Sequence, residues 1–202
     1  MAPPEPRPVL EDLPEQWPVT GSSPVWDGGG WVVRVRDDRV RRPGRHDEDP
    51  FSRFVIEHPG ASVVLAVDDE DRVLCVWQYR HAVGRRLVQL PAGLCDVEGE
   101  DPLDVARREL VEEVGFEADQ WSHLASAYSS PGVSAEMAHF FLARGLTEVG
   151  RGDFQPEHEE ADMEVGWVPA GELIDAVLDG RVQDGHLAIA VLHASARGLI
   201  AR

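Results

Sequence analysis

At 202 residues, with 43% hydrophobic and 28% charged side chains, the chain suits one soluble domain with room for a good core. A formal net charge of −18 argues against a nucleic-acid partner, whose phosphates need a basic face, and against docking on anionic membranes. No apolar run is long enough to span a bilayer, the N-terminus lacks the apolar stretch of a secretory leader, and Cys75 and Cys95 lack metal-ligand spacing. Both cysteines therefore read as reduced thiols of a cytoplasmic protein.

In chain order, residues 1 to about 20 carry Pro3, Pro4, Pro6, Pro8, Pro14 and Pro18 and read as a flexible proline-rich arm. Residues 21–50 read as an N-terminal β segment, in which Trp31–Arg36 alternates in the manner of a strand. Phe51–His58, Ala61–Val67 and Arg72–Gln78 are further strands, the last two joined by the acidic turn Asp68–Asp71. A helix follows from Asp101, and then come strands at Trp121–Tyr128, Met137–Ala143 and Met163–Val168. Pro169–Leu178 and Asp184–Leu199 read as terminal helices, punctuated by Gly180 and Gly185. Strands, one central helix, more strands and closing helices predict an α/β (α+β) fold, a mixed sheet between helices.

The helix after Asp101 carries the chemistry. Asp101 followed by Pro102 is an N-cap with proline in the first turn, and Gly115 supplies the stop. Leu103, the stem of Arg107, Leu110 and Val114 recur at helical spacing and form the expected buried stripe. Glu109, Glu112 and Glu113 lie three and four apart, so they share a face. A helix gains nothing from this, since each like-charge pair costs about 0.2–0.5 kcal/mol. Hard oxygen ligands converging on one spot suit magnesium or manganese. Arg108 reaches Glu112 at i+4, and Glu100 stands on the tight acidic turn before the helix.

These residues resemble the Nudix box: a glycine, a glutamate seven residues before Arg-Glu, then an apolar residue, Glu-Glu and Gly-apolar. Glu100, Arg108, Glu109, Leu110, Glu112, Glu113, Gly115 and Phe116 match at the required spacing. One departure is a loop longer by one: six residues separate Gly93 from Glu100 where the family has five, and a surface turn tolerates that insertion. The resemblance implies the Nudix αβα sandwich over residues 51–202, with the N-terminal β segment as an accessory. It also implies metal-dependent hydrolysis of a nucleoside diphosphate linked to a second moiety. Gln78-Tyr79-Arg80, Leu90-Pro91-Ala92-Gly93 and Ser130-Pro131-Gly132 resemble the ADP-ribose pyrophosphatase branch, in which the products are AMP and ribose 5-phosphate. Gln89 departs from that branch, many members of which carry an acidic residue there.

The roles implied by that branch fall on named residues. The metal ligands are Glu109, Glu112, Glu113 and the carbonyl of Ala92, with Glu159 reaching in from the acidic loop at 157–164. The cofactor is Mg2+, with Mn2+ as the alternative. Glu159 is the expected base, Glu160 the runner-up, and Glu112 and Arg108 complete the catalytic set. Arg80 clamps a phosphate, Pro131 shapes the pocket, and Glu136 lies near the terminal ribose. The branch often swaps its N-terminal strands between protomers, so a homodimer is expected, with Trp31 or Arg34 serving the partner's site. Trp26, Trp31 and Trp77 could each stack on adenine, although core positions suit them better. The competing readings are a hydrolase of a sugar nucleotide or dinucleotide, and a non-catalytic ADP-ribose-binding module.

Overall fold

The computed structural model describes residues 10–27, 29–152 and 161–202. Its centre is β4 (Ala61–Ala66), every residue of which is buried. An apolar run buried on both faces is the mark of an interior strand. Val63 and Leu65 point into one core and Val64 and Ala66 into the other. The strand pairs in parallel with β9 (Met137–Glu148) and antiparallel with β7 (Ala92–Leu94), and β9 carries β8 (Phe116–Tyr128) on its outer side. The result is a mixed sheet of order β7-β4-β9-β8. A second sheet of order β10-β5-β6 is built on β5 (Arg72–Arg80), with β6 at Arg85–Gln89 and β10 at Glu164–Pro169. The two meet at the Asp68–Asp71 turn, closed by the Val67–Val73 bridge.

Helices cover both faces. Ala106, Leu110 and Val114 of α1 (Pro102–Val114) pack with Val64, Ala66, Phe141 and Ala143. Leu173 and Ile174 of α2 (Ala170–Leu178), with Leu187, Ala190 and Val191 of α3 (Gly185–Ala196), close the opposite core over Leu65 and Phe140. This is the expected helix–sheet–helix sandwich. Among the described residues no helix is long and apolar enough to cross a membrane. Cys75 is buried, which pushes its thiol up to about 12, and both cysteines are free.

An N-terminal antiparallel sheet runs β1 (Val19–Trp26), β2 (Arg34–Val40) and β3 (Phe51–Glu57). All of β1 is exposed. Asp38 is the exception on its neighbour: its buried carboxylate accepts from Ser22 Oγ at 2.7 Å and from Arg36 Nε at 3.0 Å, while Arg36 also pairs with Glu57. Ile56 ties this sheet to the loop after β8, donating to Val133 and accepting from Ala135.

Several expectations need correction. Arg107 is exposed and pairs with Asp104, while Val105 and Ala106 take its place in the core. The strand expected at Trp31–Arg36 starts at Arg34, and Trp31 is 73% exposed, so it is no core residue. Trp26 is exposed as well, and of these three candidates Trp77 alone packs against the core. β8 and β9 are longer than expected, because Gly115 at φ 77° turns the chain straight from helix into strand. A Cβ there would press on the Gly150 backbone at 3.2 Å.

Candidate active site

The site grows from the seam between α1 and β7. Asp101 caps the helix through its side chain on the Leu103 N–H, and buried Ser62 of β4 donates to the Pro102 carbonyl at 2.6 Å. This seats the helix start, and the pitch then sets the carboxylates in order. Glu113 is only 8% exposed and accepts the Ala92 N–H at 2.9 Å, so one box glutamate is tied to the strand that offers the Ala92 carbonyl. Glu109 lies against Gly93 so closely that an added Cβ would overlap its carboxylate. That contact explains why glycine stands here, since Gly93 needs no unusual φ.

Arg108 organises the remaining charge. Its Nη1 donates to Glu109 Oε1 at 2.7 Å and to Glu112 Oε2 at 3.0 Å, and its Nη2 stands 3.6 Å from Glu100 Oε2. Burial works against the Arg108 charge, but Glu109, Glu112 and Glu100 outweigh it and hold the guanidinium above its ordinary pKa. Glu100 Oε2 is buried without a hydrogen bond.

The donor set fits a hard divalent cation. Its carboxylates share one face of α1, a buried oxygen of Glu100 has no hydrogen bond, and the missing side chain of Gly93 gives the Glu109 carboxylate its place. Among the described residues, however, no three acidic, histidine or cysteine side chains already sit close enough to hold an ion. The physical reason lies in the contacts just given. Arg108 bridges Glu109 and Glu112, and Glu113 is turned to the Ala92 N–H.

The other sequence candidates fall in three places. Arg80 ends β5, exposed, with its Nε on Gln89 Oε1 at 2.6 Å. Glu136 and Pro131 belong to the β8–β9 connection. Glu136 Oε1 stands 3.9 Å from His186 Nε2, which also meets Ser129 Oγ at 2.8 Å, whereas Pro131 is exposed. Arg34 lines a groove of about 470 Å³ on the N-terminal sheet with Trp26, Asp27 and Arg36. Trp31 stands exposed in the connection between β1 and β2, so both residues belong to the N-terminal β segment. Glu159, with Glu157, His158 and Glu160, lies outside the described residues.

Two contacts escaped the sequence reading. Gln89 Nε2 donates to Asp184 Oδ2 at 2.6 Å, and His186 meets Ser129. Asp184 was legible only as the first residue of a helix, and partners 95 and 57 positions away leave no local trace.

The sequence model of the NUDIX domain matches residues 57–188. The chain is 46% identical over 153 residues to a protein named ADP-ribose pyrophosphatase from Mycobacterium tuberculosis, covering 76% of this chain and 72% of that one. A Bacillus subtilis protein of the same name is 35% identical over 139 residues, 69% of this chain and 74% of its own length. The fold resembles the crystal structure of a protein described as an ADP compounds hydrolase, with a TM-score of 0.71 at 18% identity, over 94% of this chain and 98% of that one. With the box intact on its helix and the domain match spanning most of the sandwich, the chain belongs to the NUDIX domain family.

Proposed function

We propose that this NUDIX hydrolase cleaves the diphosphate of ADP-ribose with water to give AMP and ribose 5-phosphate. The observation that carries the reading is the complete carboxylate helix seated on the Ala92–Gly93 strand, in a chain akin over most of its length to two ADP-ribose pyrophosphatases.

A bridged diphosphate resists attack because its oxygens are already negative. Glu109, Glu112, Glu113 and the Ala92 carbonyl, with Glu159, are the residues that would hold magnesium, with manganese as the alternative. When bound, such an ion supplies neutralisation of the diphosphate charge and lowers the pKa of water from about 16 towards 7. The chain's own residues do the rest. Arg108 holds Glu109 and Glu112 in register. Glu159 takes the proton of the attacking water, a contribution of roughly 10²–10⁴-fold. Arg80 clamps a phosphate with its planar fork. Glu136 meets the terminal ribose beside Pro131, and Arg34 and Trp31 serve the adenosine end of the partner's site in a homodimer. The protein works in the cytoplasm.

Incubation with ADP-ribose, with and without magnesium, tests this directly. Magnesium-dependent AMP and ribose 5-phosphate are expected on chromatography, and sedimentation should read twice the 22.3 kDa chain mass. Intact ADP-ribose alongside cleaved sugar nucleotides would overturn the substrate. Binding without cleavage would overturn the enzyme.

A further inference from the structure

Arg80, Gln89 and Asp184 form a chain of hydrogen bonds running from the end of β5, across β6, to the first turn of α3. Arg80 Nε donates to Gln89 Oε1 at 2.6 Å, Gln89 Nε2 donates to Asp184 Oδ2 at 2.6 Å, and Asp184 Oδ1 accepts the Leu187 N–H at 2.8 Å. The polarity leaves one solution. A guanidinium only donates, and an ionised carboxylate only accepts. The middle residue must therefore accept on one side and donate on the other, and the glutamine amide does both. A glutamate in its place would accept from Arg80 but set a carboxylate against Asp184.

The bridge fixes Arg80 through Nε alone. Neither Nη nitrogen bonds to a described residue, and Arg80 forms no ion pair among the described residues. Its fork is thus oriented yet keeps its full charge, which is the state a diphosphate needs. The geometry points to Gln89 as a positioning residue that holds the Arg80 fork for the substrate diphosphate, anchored on the Asp184 cap of α3. This rests on the phosphate role proposed for Arg80 above. The amide passes the anchoring of Arg80 on to Asp184 and holds the guanidinium by its Nε edge, which leaves the Nη edge to the ligand.

The test is a polarity swap. Gln89→Glu sets two carboxylates face to face. Asp184→Asn keeps the cap on Leu187 but turns an N–H₂ against the amide of Gln89. The double variant Gln89→Glu/Asp184→Asn restores a consistent chain, since the new carboxylate would accept from both Arg80 and the new amide. Calorimetric affinity for inorganic diphosphate with magnesium reads the clamp whatever the enzyme's true substrate. ADP-ribose turnover by the unaltered protein judges the activity separately. Each single substitution should weaken diphosphate binding about tenfold, the scale of a hydrogen bond to a charged group, and raise the KM for ADP-ribose about as much with kcat within twofold. The double variant should recover to within about threefold of the original, which a merely structural loss would not do. Unchanged affinity in both singles, or a double variant as weak as the two losses combined, overturns the inference. A variant that fails to fold is replaced by Gln89→Ala, in which the same tenfold loss is expected and normal affinity overturns it.

Discussion

At the scale of single residues, Gly93 makes the sharpest prediction. Its missing side chain is the space the Glu109 carboxylate occupies, and what a methyl there would strike is the far end of a flexible side chain rather than backbone. Gly93→Ala should therefore fold, because Glu109 can swing away, yet it should lose activity because the carboxylate leaves its place. Turnover is expected to fall about 10–100-fold, the scale seen when support around a metal ligand is disturbed, with little change in melting temperature. A variant with normal turnover would show that Glu109 works from elsewhere. The box itself was legible because its members lie within one helix, where the 3.6-residue pitch alone decides which carboxylates share a face. The reason for Gly93 was not legible, since it needs β7 and α1 side by side. Gln89 was noticed only as a departure, because its meaning depends on Asp184 in another element.

Elements were read best where burial is two-sided or caps are explicit. Ala61–Val67 and Arg72–Gln78 carry unbroken apolar runs, and both are interior strands. β8 was cut short because its first residues, Glu117, Asp119 and Gln120, face water and hide the alternation. β6 and β7 are short and half-exposed, and the single apolar strand that the sequence suggests as ending at Leu90–Gly93 is divided between them. The start of α1 rests on a local signal that the structure repeats: the Asp101 carboxylate on the Leu103 N–H at 2.8 Å. Asp101→Ala leaves that donor without its cap and should lower unfolding free energy by about 1 kcal/mol in denaturant titration. The fall stays this small because Leu110, fully buried, still anchors the helix with about 1.5–3 kcal/mol of apolar burial. A loss several times larger would mean that the cap also seats the whole helix on Ser62.

Across the whole molecule the stability is unevenly spread, and charge shows where. The sandwich has a core on each side of β4, whereas the N-terminal sheet has an exposed outer strand and a network around one buried carboxylate. The Ser22 hydroxyl holds the Asp38 carboxyl below its ordinary value, and Arg36 adds to this against the opposing effect of burial. Because the folded pKa lies below the unfolded one, near 3.9, Asp38 contributes stability that is present above that pH and lost as pH falls through the lowered folded value. The net charge of −18 at pH 7 passes through zero near the isoelectric point of about 4.7, and the positive charge that builds up below it bears on both sheets, so the difference between them rests on Asp38 and on the two-sided core of the sandwich. Acidification should therefore open the N-terminal sheet first. Hydrogen exchange by mass spectrometry below about pH 4, where the carboxyl begins to take up its proton, should show β1 and β2 losing protection while β4 and β9 keep theirs. Asp38→Asn should abolish the acid-dependent part of that difference, since an amide has no charge to lose. Simultaneous loss across both sheets would instead mean that the Ile56 link makes them one cooperative unit, and Asp38 would then set the acid stability of the entire fold.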